Sequence, residues 1–486
     1  MQFRLTDEQV ALRDLATQGG SLKVKAYAGA SKTTSLEVIA GAHPATRALY
    51  LAFNKPIAEE AKARMPPKVT ARTNHSLAYG AMRPNAERLG TRLSGRFIAE
   101  TFKLSGIIIG INKQITSAQL GSIALTTVAN FCNSADTAIT VKHVPSMAAV
   151  FQVVPPEIKA DKAGWREVEH IALTTAQKIW TEQQGDSFPI THDTYLKQWA
   201  LRRPVIRTDL ILFDEAQDAS PVMLDVLTAQ QVPIIWVGDP YQQIYGWRGA
   251  VDAMEKITTD NEGRLTRSFR FGANIASKAN LLLRQLGETQ PLIGAGDGKT
   301  KNGSEAFLSR TNAAAIGAFM KQSKKRPHAH IELVGGTDML RIVNDLQSLM
   351  NGRATGAFHL FNDYGELKEY ANSDSGRDMA ALVRAVDEFG ISKLEKNLRN
   401  ASEKSSRAAD ITISTVHKAK GREWDYVKIA GDFMTNEEGA VIESPEENRL
   451  LYVAITRARV ELDHDEINPW LSAMEEAQAS KTPAKN

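Results

Sequence analysis

Leu22-Lys-Val-Lys-Ala-Tyr-Ala-Gly-Ala-Ser-Lys-Thr-Thr-Ser-Leu36 is the stretch from which the rest of the chain can be placed. Leu22–Ala26 alternates as a short strand, Tyr27–Ser31 is mostly small residues, and Lys32-Thr-Thr-Ser-Leu36 opens a helix. A strand, a small-residue turn and a helix N-terminus in that order make a phosphate cradle. Backbone N–H groups face the anion, Lys32 neutralises the β and γ phosphates, and the Thr33 hydroxyl suits Mg²⁺. Ala28, Gly29, Ala30, Ser31, Lys32, Thr33 and Thr34 are therefore the expected nucleotide contacts. Ala26 and Ser31 stand where such a loop usually carries glycines. A Cβ at Ser31 crowds the phosphates or is tolerated, the latter if its φ is negative. Taken alone, the stretch is equally compatible with a plain strand–turn–helix.

Working outward, Ala48–Phe53 reads as a second strand and Pro56–Arg64 as a charged helix. This βαβα pattern implies a largely parallel sheet covered by helices on both faces. The decisive partner is Ile211-Leu-Phe-Asp-Glu-Ala-Gln-Asp218, an apolar strand delivering Asp214 and Glu215 side by side. One carboxylate, Asp214, suits a metal ion, while Glu215 suits polarising a water, the division of labour that phosphoryl transfer needs. A further strand over Val232–Val237 ends in Gly-Asp. Acidic residues at the C-terminal ends of parallel strands lie where α/β sheets bind ligands.

From Tyr79 to Arg203 the strand pattern gives way to amphipathic helical stretches, Gly164–Gln183 among them. After Arg270 a second α/β pattern begins, with candidate strands at Ala306–Ser309, His330–Val334, Ile411–Ile413 and Tyr426–Ile429. The fold class expected is α/β, with two tandem parallel-sheet cores that each carry an insertion. The first core takes residues 1–80 and 204–270, interrupted by a helical insertion over 81–203. The second takes 271–343 and 411–475, interrupted by a polar, helix-prone block over 344–410, and 476–486 is a tail.

A chain of 486 residues with 43% hydrophobic and 24% charged residues excludes wholesale disorder and a disulfide scaffold. Fifty-nine basic and 56 acidic residues leave a net charge of +3, so any nucleic-acid binding rests on local patches rather than a polycationic field. Cys132 is the sole cysteine, which rules out an intramolecular disulfide and a multi-cysteine zinc site and favours a reducing compartment. No signal peptide is evident, and aliphatic runs such as Ile107–Ile111 are too short to span a bilayer. A cytoplasmic protein is expected, or a nuclear one if the source is eukaryotic, with no membrane partner. Trp165, Trp180 and Trp199 are expected in the core of the helical insertion, and Lys321–Arg326 at a solvated helix end.

Asp214-Glu-Ala-Gln-Asp218 resembles the second motif of the UvrD/Rep-like branch of superfamily-one DNA helicases, and the remaining motifs follow in order. Val237-Gly-Asp-Pro-Tyr-Gln-Gln-Ile-Tyr-Gly-Trp-Arg-Gly-Ala250 is similar to the third motif, and Leu265-Thr-Arg-Ser-Phe-Arg270 to the fourth. Thr412-Ile-Ser-Thr-Val-His-Lys-Ala-Lys-Gly-Arg-Glu423 resembles the fifth, and Glu446-Glu-Asn-Arg-Leu-Leu-Tyr-Val-Ala-Ile-Thr-Arg-Ala458 the sixth. The wording of these last two, with Leu51-Ala-Phe-Asn-Lys55 and Thr73-Asn-His-Ser-Leu-Ala78, looks closest to the motor of the F-box DNA helicase group. An F-box itself is not expected, because the phosphate loop lies so near the start.

The resemblance implies RecA-like cores, ATP and Mg²⁺ as cofactors, and ATP-driven movement on single-stranded DNA in the 3′-to-5′ direction, with unwinding or protein displacement in repair or recombination. It makes Gln9 a reader of adenine, Phe269 a ring stacked on the base, and Glu423 an acceptor from the ribose. Glu215, Gln242, Arg270 and Arg457 become the catalytic set, Arg457 as the finger from the second core, while Thr33 and Asp214 hold the metal. Phe53, His75, Tyr245, Trp247 and His417 become contacts for single-stranded DNA. Partners would be single-stranded DNA and single-strand/duplex junctions, with a nuclease or recombination protein as a further candidate. The interval between Arg270 and His417 is too short for the family's large second insertion, so translocation is better supported than processive unwinding. Two other readings stay open: a motor subunit of a nuclease or phage-defence complex, and a non-hydrolysing ATP-binding clamp.

Overall fold

The computed structural model describes residues 4–110, 113–151, 154, 156–244, 253–372, 377–402, 408–433 and 444–480. By their contacts the residues form two compact units, Met1–Ala26 with Ser31–Leu265, and Tyr27–Ala30 with Thr266–Asn486. Contact thus assigns Thr266–Arg270 to the second unit, where the sequence pattern assigned them to the first core.

The first unit is built on β1 (Leu22–Ala26), β2 (Ala48–Ala52) and β3 (Val69–Thr73), a small antiparallel hairpin of β4 (Ile107–Ile109) and β5 (Lys113–Ile115), then β6 (Leu210–Phe213), β7 (Ile234–Gly238) and β8 (Asn261–Leu265). Six of these strands form one parallel sheet in the order β3-β2-β6-β7-β1-β8. Every residue of β2, β6 and β7 is buried, which is why continuous apolar runs rather than alternation encode them. The edge strands β3 and β8 carry Thr, Arg, Asn and Glu, as strands paired on one side only can.

Leu49, Leu51, Ile211, Phe213, Ile234 and Trp236 pack one sheet face against Leu196, Trp199, Val222 and Val226. Trp199 therefore belongs to the sheet's core rather than to that of the insertion, a correction to its expected placement. The insertion has its own core of Ile98, Val128, Phe131, Ile179 and Phe188, with Trp180 packed against it, its ring centroid 5.0 Å from that of Phe131. Trp165 is buried against Phe151. The long helix of the insertion runs Lys162–Gln184, starting before the expected Gly164 and ending just past the expected Gln183.

The second unit contains the short parallel pair β9 (Arg267–Ser268) and β10 (Ile293–Gly294), then β11 (Glu305–Ser309), β12 (Ile331–Leu333), β13 (Ile411–Thr415), β14 (Trp424–Ile429) and β15 (Ala458–Asp463). The last five form a parallel sheet in the order β12-β13-β11-β14-β15. The helix Gly336–Met350 runs straight through position 344, so the polar block opens after this helix rather than within it. Within the block, Ile391–Ser402 packs on that helix and Arg377–Phe389 on the helix Asn312–Lys325. The basic run ends that last helix, where Arg326 pairs with Glu305 at 2.7 Å. Among the described residues no helix is long and apolar enough to cross a membrane.

Candidate active site

In the first unit the register of β1 with β7 and of β7 with β6 brings three strand ends together at one edge of the sheet. Lys32, Asp214–Glu215 and Asp239 follow those ends. Lys32 Nζ donates to Glu215 Oε2 at 3.0 Å, and the same oxygen accepts from Gln217 Nε2 at 2.6 Å. Gln217 Oε1 accepts the Asp239 N–H at 2.9 Å, and Gln242 Nε2 donates to Asp239 Oδ2 at 2.7 Å. A continuous polar chain thus runs from Lys32 through Glu215, the buried Gln217 and the buried Asp239 to Gln242.

Glu215 sits at φ +53°, in the left-handed region that non-glycine residues avoid. Strain of this kind persists where surrounding bonds over-determine the residue, and it gathers at functional sites. Burial opposes the charge on Lys32, but Glu215, Asp239 and Asp214 outweigh it and hold its pKa above that of a free lysine. Burial, then the charge of Glu215, push the Asp214 carboxyl upward against the pull of Lys32. Asp214 and the Thr33 hydroxyl are hard oxygen donors, and one or two carboxylates plus phosphate oxygens are what Mg²⁺ usually takes from a site. The residues present therefore fit that ion.

Ser31 adopts φ +56° and ψ +42°, so of the two outcomes open to it the negative φ is ruled out. Its backbone takes the turn a glycine would take, and its hydroxyl makes no capping bond. The left-handed cost of about 1–2 kcal/mol exceeds the extra chain entropy of glycine, roughly 0.5–1 kcal/mol. Ser31→Gly is accordingly expected to stabilise the protein by about 0.5–1 kcal/mol, read as a higher urea midpoint with unchanged slope.

Gln9 is 2% exposed. Its side-chain oxygen accepts the Thr6 N–H in a capping box, and its amide donates to Ser35 Oγ at 3.2 Å on the helix that follows the phosphate loop. One acceptor position and one donor of the Gln9 amide are thus used within the protein.

In the second unit, Gly29 has φ +73°, and a Cβ there would lie 2.5 Å from Ser268 Oγ and 2.7 Å from Arg270 Cβ, so only glycine fits. The Ala28 N–H donates to the Tyr452 hydroxyl at 3.2 Å, and Phe269 is 40% exposed. Arg270 Nε donates to Glu423 Oε2 at 2.7 Å and its Nη1 to Thr456 O at 2.9 Å. Arg459 and Lys301 also face Glu423. Burial works against its ionisation, yet Arg270, Lys301 and Arg459 prevail and keep the carboxyl below its usual range. Arg457, the expected finger, is 1% exposed, donating from Nε to Val453 O and from Nη1 to Arg422 O within its own unit.

Asp425 has no exposed surface and accepts the N–H groups of Lys301, Asn302 and Gly303 as well as Arg459 Nε at 2.9 Å. Burial raises its pKa, but these donors outweigh it and hold the carboxyl at about 2. Its stabilising contribution is complete above the unfolded value of about 4 and is lost as pH falls toward its folded value. Asp425→Asn is expected to lower stability at pH 7 by about 3 kcal/mol, because it takes from the buried Arg459 its nearer counter-charge and leaves only Glu423 at 3.3 Å. Urea titrations should show this gap narrowing between pH 4 and pH 2.

Of the expected DNA contacts, Phe53 is 54% exposed after β2, and His75 is half-buried with Nε2 2.9 Å from Asp193 Oδ1. His417 is half-buried in the short helix after β13. Tyr245 and Trp247 lie outside the described residues. Gln217, Asp425 and Arg459 are not singled out from sequence, and Asp239 only as the acidic end of a strand. All four lie in or beside the quoted motifs, yet their roles emerge only from contacts across the fold.

Residues 6–260 match the UvrD/REP helicase N-terminal domain, and residues 359–463 match the UvrD-like helicase C-terminal domain. Among curated proteins, F-box DNA helicase 1 of Gallus gallus is 29% identical over 94% of this chain and 48% of its own length. F-box DNA helicase protein 1 of Schizosaccharomyces pombe is 29% identical over 97% of this chain and 58% of its own. DNA helicase II of Escherichia coli is 37% identical over 15% of this chain and 11% of its own. The chain thus spans about half the length of the two F-box relatives.

Proposed function

Because the chain belongs to the UvrD/REP helicase family, we propose that it is a DNA-dependent ATPase that moves along single-stranded DNA from 3′ to 5′. The observation that carries this reading is the polar chain from Lys32 through Glu215, Gln217 and Asp239 to Gln242. Lys32 neutralises phosphate oxygens, Glu215 accepts the proton of the attacking water, and Gln242, within the third motif, couples the γ-phosphate to the DNA-binding loop beside it. Fixed cations stabilise charge spreading over a phosphoryl group without having to reorganise, which is the role assigned to Arg270 and Arg457. Mg²⁺, held by Asp214 and Thr33, would supply further neutralisation of the phosphates. Phe53, His75 and His417 would contact bases without reading sequence.

Single-strand/duplex junctions and recombination or repair proteins are the partners this motor would meet. Its direction is tested by strand displacement from duplexes bearing a 3′ or a 5′ single-stranded tail. The 3′-tailed duplex should be opened and the 5′-tailed one left intact; the reverse preference overturns the polarity.

One observation favours a second reading, a nucleotide-bound clamp that does not hydrolyse. Arg457 donates to two carbonyls of its own unit and to the Thr456 hydroxyl, and a motor that never freed it would lack its finger.

A further inference from the structure

Asp214 is held at three points within the first unit. Its N–H donates to Leu51 O at 3.2 Å, its Oδ1 accepts the Glu215 N–H at 2.9 Å, and its Oδ2 accepts the Tyr50 hydroxyl at 2.6 Å. Tyr50 stands in β2, paired in register with Leu212 of β6, and is 0% exposed. An ionised carboxylate offers about four lone-pair sites. The Glu215 N–H and the Tyr50 hydroxyl take one on each oxygen, which fixes the carboxylate plane and the direction of the lone pairs left over. A short O–H···O⁻ bond of this length is of the strong, charge-assisted kind.

Resting on the nucleotide-hydrolysing reading above, we propose that Tyr50 is a positioning residue that sets the affinity of Asp214 for Mg²⁺ through this hydrogen bond. Phenylalanine fills the same space but leaves Oδ2 a buried acceptor without its donor. A carboxylate no longer held by that donor is free to turn out of the plane in which it would meet a divalent cation. Loss of an outer partner of a metal ligand typically costs 10- to 100-fold in metal affinity.

The test is the affinity of the full chain for a fluorescent ADP analogue, titrated with Mg²⁺ and measured in EDTA, for wild type, Tyr50→Phe, Asp214→Asn and the double variant. Tyr50→Phe should match wild type in EDTA and need about 10- to 100-fold more Mg²⁺ for the same gain in affinity. In the Asp214→Asn background it should add nothing. An unchanged Mg²⁺ requirement in Tyr50→Phe, with the Mg²⁺ effect abolished in Asp214→Asn, overturns the role of Tyr50 alone. Equal weakening with and without Mg²⁺ overturns it in favour of packing. If wild type binds the analogue without any Mg²⁺ effect, the nucleotide-hydrolysing reading fails and the role of Tyr50 falls with it.

Discussion

Glu215→Gln is expected to bind ATP and single-stranded DNA as wild type does while losing about 10²- to 10⁴-fold in turnover, the usual worth of a general base. The carboxylate is held by Lys32 and Gln217 on one oxygen and by a left-handed backbone at its own Cα. Glutamine preserves the shape and one acceptor but cannot take a proton from water. Single-turnover phosphate release at saturating ATP reads the chemical step, and equilibrium titration with a fluorescent ATP analogue reads binding. A variant that hydrolyses normally would move the base to another residue, with Asp239 the next carboxylate in the polar chain.

The second large effect is at Arg457. If its guanidinium stabilises the transferring phosphoryl group, Arg457→Lys should lower turnover by about 10³- to 10⁵-fold with little change in nucleotide affinity. Lysine retains the charge but cannot reproduce the planar fork. The residue also donates to Val453 O, Arg422 O and Thr456 Oγ1, so thermal unfolding must accompany the kinetics. A variant that melts lower yet keeps its turnover would make Arg457 a structural tie and leave Arg270 as the candidate phosphate contact.

Central strands could be read from the chain because burial on both faces makes them continuous apolar runs, as in Leu210–Phe213 and Ile234–Gly238. The edge strands Val69–Thr73 and Asn261–Leu265 went unread, since one-sided pairing lets Thr, Arg, Asn and Glu occupy them and erases the pattern. The break at 344 fell inside Gly336–Met350, because the polar residues on that helix's outer face look like the start of the polar block.

Lys32, Asp214 and Glu215 were legible because each belongs to a compact local motif. The link from Glu215 to Gln242 was not, because it passes through Gln217 and Asp239, joined across two strands. Gln9 shows the opposite case. Thr6-Asp-Glu-Gln9 carries a capping-box signature in plain sight, and the structure uses the glutamine for that cap and for Ser35.

The most direct test of the motor reading is steady-state phosphate release by the full chain with ATP and Mg²⁺, measured with and without single-stranded DNA. Strong stimulation by DNA, abolished by Lys32→Ala in a folded protein, is the predicted result. Tight ATP and DNA binding with no phosphate released at any DNA concentration would contradict it and make the chain a clamp.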